Sequence, residues 1–194
     1  MKTVFFDIDT QIDFLFPAGA LYVPGAEGLL PTLAKLNRYA GARGIPLVSD
    51  MDAHTEDDPE FKDWPPHCIA GTQGQQKPAD LMLDRRAVVP YVPGDCPIDG
   101  AAQIVLEKRT LDVFANPNLP QLLERLKADR YVVYGVVTEY CVNYAITGLL
   151  RTGKPVELVT DAIQALDPVA AERTIREFTG AGGRLTTASE AMRD

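Results

Sequence analysis

Short apolar segments alternate with helical segments along most of this chain, and that alternation constrains its fold more than any other feature. Five apolar segments predict buried strands, each bounded by polar or turn residues: 3–8, 45–49, 103–107, 131–137 and 156–160. Helical periodicity predicts helices over 25–43, 119–128, 139–152 and 169–180. Buried strands separated by helices favour an α/β fold built on a mostly parallel sheet.

The length and charge of the chain limit the classes of protein to which it can belong. Its 194 residues favour one domain, spanning residues 1–194. A formal net charge of -8 would repel nucleic acid and anionic membranes, so neither is expected as a partner. The opening residues lack the apolar region of a signal peptide. Three widely spaced cysteines argue against a disulfide framework, and we therefore expect a reducing, cytoplasmic location.

Chemically capable side chains lie at or just after the ends of four predicted strands. These are Asp9, the segment that begins at Asp50, Lys108 and Cys141. Parallel α/β sheets bind ligands outside the carboxyl ends of their strands. The four segments are therefore expected to converge on one active site.

Cys141 is the best candidate for a nucleophile. It follows a buried strand at the predicted start of a helix, where the positive end of the helix dipole would lower the thiol pKa towards thiolate. The alternative is that it serves as a small buried apolar residue. Cys68 and Cys96 have weaker claims, because neither stands at a strand-to-helix junction.

Residues 50–78 have neither helical nor strand periodicity, and they contain both histidines of the chain, His54 and His67. A loop this long inside a compact domain is unusual unless it is functional. Asp52 and Glu60 accompany the histidines, and two imidazoles with two carboxylates suit a zinc, iron or manganese ion. The alternative is a solvated acidic loop with incidental histidines.

If both histidines bind metal, the base that activates Cys141 has to be another side chain. Asp9 is placed for that role, since burial could raise its pKa enough to exchange a proton near neutral pH. Lys108 would favour the thiolate electrostatically. The alternatives are a turn or cap carboxylate for Asp9 and an exposed strand end for Lys108. Asp7 would face the same side of the sheet as Asp9, one step deeper, and we expect it to be hydrogen-bonded or partly protonated, with a structural role.

Several motifs in this sequence resemble those of a known family, the nicotinamidases among the isochorismatase-like cysteine hydrolases. Residues 9–14 (DTQIDF) resemble the opening D-x-Q-x-D-F of that family. Residues 64–68 (WPPHC) resemble its metal-binding segment, and residues 135–142 (GVVTEYCV) are similar to its nucleophile segment. Lys108 stands where the family has its catalytic lysine.

The resemblance implies that Asp9, Lys108 and Cys141 form a catalytic trio. It further implies a six-stranded, mostly parallel sheet flanked by helices. It also implies a cis peptide bond between Val137 and Thr138. The backbone N–H groups of Thr138 and Cys141 would then form the oxyanion hole.

The resemblance also implies the ligands. One divalent metal ion would be bound, with zinc as the first candidate and iron or manganese as alternatives, by Asp52, His54, Glu60 and His67. Asp57 and Asp58 compete with Glu60 for its place in this set. The substrate would be a small-molecule amide contacted by Phe14, Trp64, Val137 and Tyr140. Because relatives commonly form homo-oligomers, we expect one here.

The activity implied by the resemblance is hydrolysis of nicotinamide to nicotinate and ammonia through a thioester on Cys141. Glu139 and Tyr140 stand where some nicotinamidases have Asp-His. That difference leaves another small amide, such as a carbamoyl or ureido compound, as an alternative substrate. Isochorismate cleavage agrees less well with the sequence, because that chemistry needs no cysteine nucleophile. A third alternative is a catalytically silent binding protein of the same fold.

Overall fold

The computed structural model describes residues 1–193, and its central element is a parallel sheet. Within those residues the sheet has seven strands, β1 to β7: Thr3–Ile8, Leu47–Asp52, Arg86–Val89, Gln103–Lys108, Arg130–Val136, Val156–Gln164 and Arg184–Thr186. Their order is β3-β4-β2-β1-β5-β6-β7, and each neighbouring pair is parallel. The first strand of the chain therefore lies in the middle of the sheet, between β2 and β5.

Helices cover both faces of this sheet. In chain order, α1 to α6 are Ile12–Leu15, Leu30–Arg43, Leu119–Leu126, Asn143–Leu150, Pro168–Gly180 and Ala188–Ala191. The buried apolar side chains of α3 and α4, with Phe178 of α5, belong to one apolar core, and those of α1, α2 and α6 belong to the other. Across residues 1–193, no helix combines the length and the apolar character needed to cross a bilayer.

Strand β1 contributes to both cores because its side chains alternate between the two faces of the sheet. Val4, Phe6 and Ile8 belong to the core that contains α3, whereas Phe5 belongs to the core that contains α2. All four side chains are fully buried. Burial of each large apolar side chain contributes roughly 1.5–3 kcal/mol, so β1 is anchored firmly up to the residue before Asp9.

The predicted α/β fold class is confirmed, with seven strands in the described residues in place of the expected six. Strands β3 and β7 were not predicted from periodicity. Both lie at the edges of the sheet, and most of their side chains are exposed or half-buried. Both strands are short, with the sequences RAVV and RLT, and neither shows the length or the burial of the central strands, which is why the pattern did not indicate them.

The chain after β5 differs from its prediction in two ways. The helix expected over 139–152 begins only at Asn143, and Thr138–Val142 form a π-helical turn before it. The cis peptide bond joins Val136 to Val137, not Val137 to Thr138 as expected. Strand β5 ends at Val136, one residue before the end of the strand predicted over 131–137.

Candidate active site

Four buried polar or reactive side chains converge where the central strands end. They are Asp9 after β1, Asp52 at the end of β2, Lys108 at the end of β4 and Cys141 after β5. The most exposed of them, Cys141, has 5% of its surface accessible. The predicted meeting of strand ends at one edge of the sheet is therefore present in the structure.

The backbone around Asp9 is held close to the neighbouring strands. Gly135 of β5 lies so near β1 that a Cβ atom there would be 2.1 Å from the carbonyl oxygen of Ile8, and its φ of 122° also favours glycine. Asp9 has a φ of 46°, a left-handed conformation that aspartate adopts more readily than most residues. Its N–H donates to Asp50 Oδ1 at 2.9 Å, so a second buried carboxyl group supports this turn.

Lys108 connects the other members of the cluster. Its Nζ atom is 2.8 Å from Asp9 Oδ2 and 2.5 Å from Asp52 Oδ1. The same atom is 3.9 Å from Cys141 Sγ. Burial alone would lower the pKa of Lys108, but Asp52 and Asp9 outweigh it and raise that pKa well above its usual value. Lys108 is thus a buried cation shared by two carboxylates, and not an exposed strand end.

Asp9 and Cys141 both have pKa values above their ordinary ranges. Burial, followed by the charge of Asp52, raises the pKa of Asp9, and Lys108 only partly opposes this. A carboxylate with a raised pKa is a better proton acceptor. Burial and then Asp9 also raise the pKa of the Cys141 thiol, although a lowered pKa was expected from the helix dipole. Removal from water and a neighbouring carboxylate outweigh the helix end here.

Two histidines and two carboxylates face a common point on the other side of Asp52. His54 Nε2 is 3.7 Å from Asp52 Oδ2 and 3.9 Å from Glu60 Oε1. His67 Nε2 is 3.8 Å from Asp52 Oδ2 and 3.9 Å from Glu60 Oε1. These distances are too long for hydrogen bonds, so the four atoms converge without bonding one another. That set of nitrogen and oxygen donors fits a divalent ion such as zinc, and Asp52, His54 and His67 form a compact buried group.

The second ring nitrogen of each histidine has an outer partner. His67 Nδ1 is 2.8 Å from the carbonyl oxygen of Pro65, to which it donates when Nε2 is the free acceptor. His54 Nδ1 is 3.1 Å from Asp58 Oδ2. In both rings Nε2 therefore remains directed at the shared point, which is the orientation that metal binding requires.

The structure distinguishes the three acidic residues that compete for the fourth place in the metal-binding group. Glu60 Oε1 faces both histidines, whereas Asp58 contacts the opposite nitrogen of His54 and Asp57 is exposed. Asp58 also accepts a hydrogen bond from the Glu60 N–H at 3.0 Å. Asp58 thus supports both His54 and the turn that carries Glu60.

Two residues of the opening motif hold the irregular segment in place, a function that was not predicted from the sequence. Gln11 accepts from the Asp52 N–H at 2.8 Å and donates to the carbonyl oxygens of Asp52 and Gln75 at 2.9 and 2.8 Å. Asp13 accepts from the Cys68 N–H at 2.7 Å. The regular spacing of polar residues in DTQIDF was the available signal, but spacing alone does not show which backbone each side chain reaches.

A narrow cleft opens over this cluster. Besides the polar groups of the site, apolar and aromatic residues form its walls: Phe14, Leu21, Trp64, Leu111, Val136, Val137, Tyr140 and Leu166. The rings of Trp64 and Tyr140 meet edge to face, with their centroids 5.1 Å apart. All four side chains predicted to contact substrate are among these residues. The three leucines were not predicted, because isolated leucines in loops carry no distinctive sequence pattern.

The side chain of Thr138, whose backbone N–H was expected to share the oxyanion hole with that of Cys141, is bonded outside the cleft. Its hydroxyl donates to the carbonyl oxygen of Gln164 at 2.9 Å. Within the described part of the chain, the cleft is lined by Val137 and Cys141 but not by Thr138. Val137 therefore has better access than Thr138 to a substrate bound in the cleft.

Asp7 is fully buried and hydrogen-bonded, in agreement with the expectation for it. Its Oδ1 accepts from Thr10 Oγ1 at 2.6 Å, and its Oδ2 accepts from Ser49 Oγ at 3.0 Å. Lys77 Nζ donates to Thr10 Oγ1 at 3.0 Å and lies 3.5 Å from Asp7 Oδ2. A second buried pair of opposite charges thus supports the segment that carries Asp9.

Comparison with known proteins gives consistent matches along the whole chain. A family profile described as "Isochorismatase domain" matches residues 3–190. A nicotinamidase of Escherichia coli (strain K12) is 22% identical over an alignment of 205 positions, which covers 94% of this chain and 93% of that protein.

Solved structures with the same fold include enzymes that act on different amides. A pyrazinamidase of Pyrococcus horikoshii in complex with zinc has a TM-score of 0.81 and 26% identity, covering 96% of this chain and 99% of that chain. An N-carbamoylsarcosine amidase from Thermoplasma acidophilum has a TM-score of 0.77 and 24% identity, covering 97% of both chains. At 24% identity, the similarity to the N-carbamoylsarcosine amidase shows a shared fold alone.

Proposed function

The chain belongs to the isochorismatase family of hydrolases, and on that premise we propose that it is a cysteine amidohydrolase that converts nicotinamide to nicotinate and ammonia. The observation that carries the proposal is the position of Lys108 Nζ, in contact with Asp9 and near Cys141 Sγ, beside an aromatic cleft. A base, a cation and a thiol in such proximity suit nucleophilic attack on an amide.

In the proposed reaction Asp9 accepts the proton of the Cys141 thiol while the sulfur attacks the amide carbonyl carbon. Asp9 returns that proton to the departing nitrogen, so that ammonia leaves and a thioester remains. Asp9 then takes a proton from water, whose oxygen attacks the thioester, and the acid is released as the thiol is restored. Lys108 stabilises the negative charge that passes between Asp9 and Cys141.

The negative oxygen formed in both attacks needs backbone donors. We propose the N–H of Cys141 as one of them, and the N–H of Val137 as the other in place of Thr138, because Val137 lines the cleft. Phe14, Trp64 and Tyr140 would enclose a flat ring, with the edge-to-face pair of Trp64 and Tyr140 forming one wall.

The group of Asp52, His54, Glu60 and His67 would hold the divalent ion, with zinc as the first candidate. When bound, such an ion supplies a coordination position for the ring nitrogen of a pyridine substrate. The residues that hold it would therefore act mainly in substrate binding, because the proton transfers are carried by Asp9 and the nucleophile is Cys141.

We expect His67→Ala to weaken the binding of zinc at least about 100-fold and to raise KM for nicotinamide at least about tenfold, with a smaller effect on kcat. Zinc affinity is measured by competition with a chromophoric chelator, and KM by ammonia release. The matched control is Asp57→Ala, which removes an exposed carboxylate from the same segment. Loss of zinc with an unchanged KM would contradict the anchoring role.

The charge of the cleft favours a neutral substrate such as nicotinamide over those carbamoyl or ureido compounds that carry a carboxylate. Among the cleft-lining residues within 1–193 there is no arginine or lysine, whereas Asp9, Asp52 and Glu60 are present. Lys108, which lies just outside this lining, is already paired with two carboxylates. In the proposed complex the divalent ion is occupied by the ring nitrogen, so a substrate carboxylate would find no free basic side chain in the cleft lining.

The direct test is ammonia release from nicotinamide by the purified protein, before and after removal of metal by a chelator. Release that chelation abolishes and zinc restores would support both the reaction and the metal group. Release from carbamoyl or ureido compounds that exceeds release from nicotinamide would replace the proposed substrate. A protein inactive on nicotinamide even with zinc, iron or manganese supplied would refute the proposal.

The raised pKa of Asp9 predicts the pH dependence of the reaction. Asp9 must be ionised to take the thiol proton, so kcat/KM falls as pH drops through the raised pKa of this carboxyl group. The midpoint of that fall is expected clearly above the ordinary aspartate value of about 4. A pH profile of kcat/KM, with circular dichroism at each pH to verify folding, measures it. A midpoint at or below the ordinary value would argue against Asp9 as the base.

A further inference from the structure

The segment that connects β6 to α5 is tied to the two residues that follow the cleft-lining Val137. Thr138 Oγ1 donates to the carbonyl oxygen of Gln164 at 2.9 Å. Glu139 Oε1 accepts from the N–H groups of Leu166 and Asp167, at 2.9 and 2.6 Å. The connection is therefore held by side chains that stand only two or three residues before Cys141.

The contact made by Glu139 has a consequence for the cleft, because Leu166 is one of its walls. Leu166 has 37% of its surface exposed, so packing by neighbours does not by itself determine its position. Its backbone N–H is one of the two that Glu139 binds. Glu139 thus holds the backbone of the residue whose side chain lies over the cleft.

Both ends of the connection also have side-chain contacts that do not involve Glu139. Gln164 Nε2 donates to the carbonyl oxygen of Pro24 at 2.7 Å, in the loop after Leu21, which lines the same cleft. Asp167 caps α5 by accepting from the N–H groups of Val169 and Ala170. Loss of the Glu139 contact is therefore expected to free the backbone at Leu166 without unfolding β6 or α5.

Resting on the proposed function, we propose that Glu139 is a positioning residue that sets substrate size by holding Leu166 against the cleft. With the contact intact, the cleft admits amides of a single six-membered aromatic ring. A second fused ring would meet Leu166. Glu139 acts through Leu166 and does not itself touch the substrate, since it is absent from the cleft-lining residues within the described chain.

The test compares nicotinamide with quinoline-3-carboxamide, which has the same ring nitrogen and amide but carries a fused second ring. Leu166→Ala and Glu139→Ala are both expected to raise the ratio of kcat/KM for the larger amide to that for nicotinamide at least about tenfold. Glu139→Gln should change this ratio less than about threefold, because its amide oxygen can still accept both N–H bonds. A merely structural role would lower both kcat/KM values together and leave the ratio unchanged.

Hydrogen exchange of the Leu166 and Asp167 amides tests the contact without any substrate. Glu139→Ala is expected to speed their exchange at least about tenfold, whereas Glu139→Gln keeps it near the wild-type rate. The control is Glu172→Ala, which removes an exposed carboxylate from α5 and should change neither readout. Unchanged exchange in Glu139→Ala would overturn the proposed contact.

The outcomes separate this inference from the proposed function. If wild-type protein hydrolyses nicotinamide but Leu166→Ala leaves the ratio unchanged, the inference is overturned and the function stands, even if Glu139→Ala fails to fold. If wild-type protein hydrolyses neither amide, the function is refuted and the size selection falls with it. The exchange rates then still decide whether Glu139 holds Leu166.

Discussion

Cys141→Ala is expected to lower kcat for ammonia release from nicotinamide at least about 1,000-fold. The reason is that no other thiol lies at the point where Asp9 and Lys108 meet, among the residues that the structure describes. The free energy of unfolding should change by no more than about 1 kcal/mol, because one small buried side chain is shortened. Initial rates of ammonia release and chemical denaturation provide the two measurements.

The matched control for this variant is Cys96→Ala, which shortens a cysteine that is equally buried but lies in the loop before β4. Its turnover should match that of the wild type. Retention of even about a tenth of wild-type kcat by Cys141→Ala would refute the nucleophile assignment. Wild-type protein that binds nicotinamide without releasing ammonia would instead favour the catalytically silent binding protein.

Lys108→Met is expected to damage both activity and stability. The buried carboxylates of Asp9 and Asp52 lose their shared cation, which should lower the free energy of unfolding by about 3 kcal/mol or more. Without Lys108 the pKa of Asp9 rises further, so less Asp9 is ionised near neutral pH. We expect kcat/KM to fall at least about 1,000-fold and its acid limb to move to higher pH. Rates on folded protein across a pH series measure both effects.

Lys77→Met separates catalysis from stability in this comparison. Lys77 is also a buried lysine beside a buried carboxylate, Asp7, but it lies outside the cleft lining. This variant should be destabilised while its turnover per folded molecule stays within about threefold of wild type. An equal loss of turnover in Lys77→Met and Lys108→Met would show that the effect comes from a disturbed fold and not from the site.

The central part of the fold was predictable because its strands are buried on both faces and leave apolar runs in the sequence. β1 has its predicted bounds, and β4 differs by one residue at its end. The edge strands β3 and β7 were missed because exposed strands need no such run. Periodicity thus reports how deeply a segment is buried more reliably than it reports whether the segment pairs in a sheet.

The candidate site could be predicted from the residue types at the strand ends. The pKa shifts of its side chains could not, because they depend on distances that a sequence does not contain. The direction of the Cys141 pKa was predicted wrongly, because the helix dipole could be inferred from chain order but the closeness of Asp9 could not. Likewise, Glu139 was noted only as a departure from a motif. Its contact with the backbone of Leu166 joins residues 27 positions apart in the chain.

The central place of β1 also determines when the protein can become active during its synthesis. β1 leaves the ribosome before the other strands of the sheet, yet one of its two partners, β5, ends only at Val136. Chains elongate at roughly 5–20 residues per second. The edge of β1 that pairs with β5 therefore stays unpaired for at least several seconds. Asp9 and Cys141 come together only after this pairing, and the nascent chain therefore carries the proposed general base long before the proposed nucleophile is in place.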